Sequence, residues 1–205
     1  MRVGGDICTA WAMPGGGGAV LIGDVSGRGV EAAGIAVMVR HMAEALGRHH
    51  RTPGELVGEL NDLLHARLPD GSLVTLALVI ASPGGEEVLW ANAGHPAPVL
   101  LSARGGITTL DDPGPPCGAF PGRHYPTRRA AFAPGDLLVL YTDGLTEARR
   151  GGRDFGEQAL HELLGSRAHL PADLLPGAVV GAVEEWCDAG LDDDVAIAVV
   201  RRARG

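Results

Sequence analysis

Two apolar runs in this chain drive straight into an aspartate with glycine close behind: VLIGDVSGRG over residues 20–29 and LVLYTDGL over residues 138–145. A carboxylate at the end of a buried strand is costly unless something pairs with it. Such aspartates therefore either cap turns or meet a shared cation. The same grammar recurs at Asp6 in GGD and at Asp192–Asp194 in LDDDVAI. Each aspartate taken singly fits the ordinary turn role, accepting backbone hydrogen bonds. Four occurrences together weaken that alternative. DDDV is the hardest case for it, because adjacent acids entering an apolar strand repel one another and a divalent cation relieves them.

The ligand chemistry narrows the cation. Oxygen donors without a nearby His or Cys cluster select hard ions, Mg²⁺ or Mn²⁺. Two such ions bridged by a carboxylate activate water and polarise a phosphoryl group, so metal-assisted phosphate ester hydrolysis is the reaction class these residues suggest.

Strand and helix signals alternate in a way that favours antiparallel sheets. ICTAWAM (7–13) and AVLIGDV (19–25) flank the hairpin loop PGGGG. Residues 30–46 have the length and apolar spacing of a largely buried helix. A second helix is announced by Thr52 as N-cap, Pro53 at the first position and Glu55 completing a capping box, with Leu56, Leu60, Leu63 and Leu64 on one face. Strands are expected at 73–81, 87–93, 98–102 and 107–110, separated by turns too short for helical crossovers. After the looser DDPGPPCGAFPG come the strands TRRAAF and DLLVLYTD, helices near 155–165 and 172–187, and a final strand at 195–200. This order implies one α+β domain spanning 1–205.

Composition excludes several classes. With 205 residues, 45% of them hydrophobic, the chain can bury a real core. A net charge of −8, spread along the chain, argues against nucleic acid as a partner. No apolar run approaches the ~18 residues of a membrane span, and the start does not read as a signal peptide. Cys8, Cys117 and Cys187 are far apart and unpaired in pattern, which suggests reduced thiols and a cytoplasmic setting.

In order and spacing, VGGD (3–6), IGDVSGRG (22–29), NAGHPAP (92–98), APGDLLVLYTDGLTEAR (133–149), FG (155–156) and DDDVAIAVV (192–200) resemble the metal-dependent protein phosphatases of the PPM (type 2C) superfamily, in its bacterial SpoIIE-like branch. The resemblance covers nearly the whole chain. It implies an α-β-β-α sandwich, two antiparallel sheets flanked by helices, with the ion site where the sheets meet. The family's first strand is apparently missing, since only Met1 and Arg2 precede VGGD.

Carried over by position, Asp24 resembles the carboxylate bridging two Mn²⁺ or Mg²⁺ ions, and Val25 would offer its backbone carbonyl. Asp143 matches a ligand of the second ion, and Asp6 a ligand directly or through water. Asp193 is the preferred ligand in DDDV, with Asp194 as the fallback. The nucleophile would be the water between the ions, with no covalent phosphoenzyme. Arg28 stands where the branch often has His or Lys, and a guanidinium there suits phosphate. The implied activity is that of a serine/threonine protein phosphatase. Its implied substrate is a phosphorylated regulator of the anti-anti-sigma type, in stress-linked control of sigma factors; a homodimer is admitted. A rival reading is a catalytically impaired regulatory module of the same fold. It draws on the missing strand and on Ala196, which stands at the family's threonine.

Other motifs weigh less. GRGVEA imitates a dinucleotide fingerprint, but a second helix follows where a parallel strand should. PGGGG lacks the Lys-Ser/Thr of a phosphate-cradling loop. His95 in NAGHP is expected to shape its turn rather than catalyse. His49, His50 and Arg51 read as a solvated connection. Trp11, Trp90 and Trp186 read as core, and Cys8 as a buried thiol.

Overall fold

The computed structural model describes residues 4–188 and 190–203. Met1 to Val3, the stretch bearing on the missing first strand and the start of VGGD, lies outside the described residues.

A tight hairpin opens the fold. Strand β1 (Ile7–Ala12) and β2 (Gly18–Val25) pair antiparallel, with Ile7 opposite Gly23 and Ala12 opposite Gly18. Helix α1 (Val30–Leu46) follows, matching the expected 30–46, and turns back into α2 (Pro53–His65). Thr52 caps α2 by accepting the Glu55 amide at 3.4 Å. The side-chain half of the cap differs from a reciprocal box, because the Thr52 hydroxyl donates to Glu55 Oε2 at 2.7 Å. Leu56, Val57, Leu60 and Leu64 are fully buried, whereas Leu63 is half-exposed; Val57 takes the place expected of it.

Strands β3 (Val74–Ala81), β4 (Glu87–Ala93) and β7 (Arg128–Ala131) extend the first sheet in the order β1-β2-β3-β4-β7. A second sheet is built from β5 (Val99–Leu101), β6 (Ile107–Thr109), β8 (Leu137–Tyr141) and β11 (Ile197–Arg201), in the order β11-β8-β5-β6. Every pairing within both sheets is antiparallel. A small hairpin, β9 (Arg149–Arg150) with β10 (Arg153–Asp154), precedes α3 (Glu157–Arg167) and α4 (Leu175–Trp186).

Period-2 alternation sorts side chains into layers. On β3, Val74, Leu76, Leu78 and Ile80 face α1 and α2, while Ala77 and Val79 join the seam between the sheets. On β8, Leu137, Val139 and Tyr141 face α3 and α4, and Leu138 and Leu140 enter the seam. Three apolar clusters therefore stack as helices, sheet, sheet, helices. This is the α-β-β-α sandwich anticipated from sequence. Among the described residues, no helix is long and apolar enough to cross a membrane.

Some local readings change. The last strand starts at Ile197, two residues later than expected; Ala196 instead bonds Thr142 through its backbone, beside the end of β8. Cys8 is exposed: alternation on β1 turns Ile7 and Thr9 toward the helices and leaves Cys8, Ala10 and Ala12 on the opposite face, exposed at the sheet edge. Trp90 is buried, but Trp11 and Trp186 are only partly so, and Trp186 stacks edge-on against Phe155 with ring centroids 5.2 Å apart. The 49–51 connection is tied down, with His50 Nε2 2.5 Å from Glu59 Oε2 and Arg51 donating to the Pro14 carbonyl.

Candidate metal centre

All of the sequence's strand-end aspartates except Asp192 come together. Asp6, Asp24, Asp143, Asp193 and Asp194 line one cavity of about 330 Å³, together with Gly5, Gly27 and Arg28. The first two belong to the first sheet, Asp6 just before β1 and Asp24 near the end of β2. The other three belong to the second. Asp143 opens a 3₁₀ turn, Asp143–Leu145, directly after β8, and Asp193 and Asp194 lead toward β11. The cavity thus sits where the two sheets meet.

Glycines make the approach possible. A Cβ on Gly4 would lie 1.4 Å from Asp194 Oδ2, and one on Gly5 would lie 2.9 Å from Asp24 Oδ1 and 2.6 Å from the Val25 carbonyl oxygen. Any side chain there would push the carboxylates apart, which gives GGD a physical reason. The turn SGRG brackets Arg28 with Gly27 at φ 105° and Gly29 at φ 90°, a backbone region that favours glycine. That bend carries the guanidinium over the cavity, where Arg28 Nη2 meets Asp193 Oδ2 at 2.9 Å. Both partners are about half-exposed or more, so the pair itself adds little to stability.

The two candidates in DDDV are held differently. Asp193 is engaged twice, by Arg28 and by the Asp194 amide, which donates to its Oδ1 at 3.0 Å. Asp194 packs over Gly4 and is the strongest of the neighbouring charges acting on Asp6. Val25 has a fully buried side chain, and its carbonyl faces Gly5.

Electrostatics register the crowding. Burial pushes the Asp6 carboxyl up to about 6, and the charges of Asp194, Asp143 and Asp193 add to the rise, against a lowering hydrogen bond from Thr142. Burial likewise raises Asp24 to about 6, with Asp6 and Asp143 the next contributors. Among the described residues, no three His, Cys, Asp or Glu side chains stand as a ready-made cage for an ion. The carboxylates instead ring the cavity, restrained by Thr142, Arg28 and the Asp194 amide. The donor set nonetheless fits a hard divalent cation. It is all oxygen, burial and neighbouring charges disfavour the ionised forms of Asp6 and Asp24, and positive charge is the direct relief.

Burial first, and then the neighbouring charges, set the pH dependence of the cation-free protein. A carboxyl whose folded pKa exceeds its unfolded value stabilises the fold below the unfolded pKa, near 3.9, and that contribution is lost as pH rises through about 6. Asp24→Asn removes one such charge. In chelator at pH 7.5 the variant should melt above wild type. Solvent screening at a half-buried carboxylate holds the gain to about 1 kcal/mol, or ~2–4 °C. The gain should shrink toward zero at pH 4.5. A difference that is constant with pH would show that Asp24 bears no electrostatic load.

His95 takes the turn-shaping role. The Asn92 side chain brackets it, donating to the His95 carbonyl and accepting its amide, both at 2.8 Å. Its Nδ1 lies 3.0 Å from Thr75 Oγ1, and Thr75 is the register partner of Asp24. Burial depresses the imidazole to about 4, so it is neutral near pH 7 and ill-suited as a proton donor.

Three residues in or beside the site were not singled out from sequence. Thr142 is fully buried, and its hydroxyl donates to Asp6 Oδ2 at 2.9 Å. Glu147 and Arg149 line a smaller cavity of about 150 Å³ that shares Arg28 and Asp193 with the first. The motif TDGLTEAR spans both, so adjacency to Asp143 was the available signal.

A family model described as Stage II sporulation protein E (SpoIIE) matches residues 14–203. The phosphoserine phosphatase RsbU of Bacillus subtilis is 22% identical over 184 residues, covering 89% of this chain and 55% of RsbU. The structure of the RsbU and RsbW domains of Rv1364c from Mycobacterium tuberculosis superposes with a TM-score of 0.84 at 29% identity, over 99% of this chain and 56% of that one. The SiaA-PP2C domain of Pseudomonas aeruginosa gives 0.83 at 22% identity, over 98% of this chain and 81% of that one. This chain spans between a fifth and about half the length of the curated relatives it matches.

Proposed function

The chain belongs to the SpoIIE family, and from that membership we propose that it is a metal-dependent protein phosphatase acting on phosphoserine or phosphothreonine. The observation that supports this most is the convergence of Asp6, Asp24, Asp143, Asp193 and Asp194 on one cavity. In this reading Asp24, Asp6, Asp143, the Val25 carbonyl and one of Asp193 or Asp194 would hold the Mn²⁺ or Mg²⁺ ions. The ions, when bound, would polarise the phosphoryl group and provide an activated water.

The chain's own residues do the rest. The carboxylates fix where positive charge sits between the two sheets. Arg28, on its glycine-flanked turn, reaches the cavity mouth and can exchange its contact with Asp193 for the oxygens of an incoming phosphate. Neutral, bracketed His95 meets Thr75, the register partner of Asp24, on the neighbouring strand.

The substrate in this proposal is a phosphorylated protein regulator of the anti-anti-sigma kind, handled in the cytoplasm by a single phosphatase domain, with a homodimer compatible. The test combines metal stoichiometry with turnover of p-nitrophenyl phosphate and of a phosphoserine peptide. Two ions per chain, turnover with Mn²⁺ and none in chelator are expected. Bound ions without turnover would favour an impaired regulatory module, and turnover indifferent to chelator would overturn the metal assignment.

A further inference from the structure

Thr142 follows the last residue of β8 and has no solvent exposure. Its amide donates to the Ala196 carbonyl at 3.0 Å, an end rung between β8 and the approach to β11. Its hydroxyl does something a ladder rung does not. It accepts the Ala196 amide at 2.8 Å and lies 2.9 Å from Asp6 Oδ2. A hydroxyl has one proton to donate. With the Ala196 N–H already occupying a lone pair, that proton is directed at the carboxylate; the alternative acceptor, the Ala196 carbonyl, is farther away at 3.4 Å.

We infer that Thr142 is a positioning residue for the cation site, its hydroxyl tying Asp6 of the first sheet to the aspartates of the second. The inference rests on the phosphatase reading and names a residue that holds its site together. Asp6 lies on the entry to β1, whereas Asp143, Asp193 and Asp194 belong to the second sheet. Their spacing therefore depends on how the two sheets are held at this end. One oxygen of the Asp6 carboxylate, Oδ2, is committed to Thr142, and the residue lines the cavity. A charge-assisted hydrogen bond also favours the ionised form that a cation requires.

The same geometry gives Ala196 a part that needs no side-chain hydroxyl. Residue 196 serves Thr142 through its backbone N–H and carbonyl, while its side chain packs in the seam between the sheets. The hydroxyl that organises this corner comes from position 142.

The test is a calorimetric titration of Mn²⁺ into the full chain, with melting temperatures in chelator measured alongside. Thr142→Val keeps the shape and removes the hydroxyl; Thr142→Ser keeps the hydroxyl. Losing a hydrogen bond to a charged group should weaken Mn²⁺ binding about tenfold or more in the Val variant, while the Ser variant stays within about threefold of wild type on the same scale. A Val variant that binds Mn²⁺ like wild type would overturn the inference, even if it melts lower in chelator. Failure of rescue by Ser would overturn it as well. If the Val variant does not fold, Thr142→Cys, a weaker donor of similar bulk, should bind Mn²⁺ less tightly than the Ser variant, and equality with wild type would sink the idea. Wild type that binds no Mn²⁺ at all would instead count against the phosphatase reading itself.

Discussion

Asp143→Asn is expected to lower turnover of p-nitrophenyl phosphate by ~10²-fold or more, since even an outer partner of a metal ligand is worth up to ~10²-fold. The substitution is well suited to the question because the fold around Asp143 is held by its backbone. The Asp143 carbonyl accepts the Glu147 amide at 2.7 Å and the Thr146 hydroxyl at 3.1 Å, and neither bond needs the carboxylate. Asn preserves the shape and can still accept a hydrogen bond, but it brings no charge to the cavity. The secondary structure should be unchanged by circular dichroism while kcat/KM collapses at saturating Mn²⁺. Activity within twofold of wild type would remove Asp143 from the site.

Much of the fold was legible because its signals are local. Thr52, Pro53 and Glu55 mark where α2 begins, and α1 ran over the same 30–46 that its apolar spacing indicated. Strand alternation, by contrast, fades where both faces are buried. All five residues of β8 are buried, so the sequence alone could not say that Leu138 faces the other sheet while Val139 faces the helices. The hairpin β9–β10 has two-residue strands, too short to carry any period. Cys8 was misjudged because an apolar neighbour list in sequence does not reveal that β1 is an edge strand with one open face.

The same division runs through the site. Aspartates that end apolar runs beside glycine advertise themselves, and five of them share the cavity. Thr142 carries no such mark: a threonine at the end of a strand reads as an ordinary β-branched strand former. Its partner Asp6 is far away in sequence, and only the meeting of two sheets brings them to 2.9 Å. The choice between Asp193 and Asp194 was likewise not local. It turns on Arg28, which claims an oxygen of Asp193, and on Gly4, whose missing side chain admits Asp194.

Divalent cations should stabilise the protein as strongly as they activate it. Crowded carboxylates that resist ionisation in the cation-free fold, Asp6 and Asp24 both raised to about 6, become an asset once positive charge sits among them. A cation that binds only the folded chain adds RT ln(1 + [L]/Kd), or ~2.7 kcal/mol at a hundredfold excess over Kd. For a domain of this size the corresponding rise in melting temperature is about 5–10 °C. Asp24→Asn, losing a proposed ligand, should abolish most of that rise while melting no lower than wild type in chelator. The direct measurement is a thermal-shift titration of wild type and Asp24→Asn with Mn²⁺, Mg²⁺ and a chelator at pH 7.5. A rise of this size in wild type that is largely absent in the variant is the expected result. Wild type melting at the same temperature in millimolar Mn²⁺ and in chelator would contradict the account, and would return the five aspartates to ordinary turn residues.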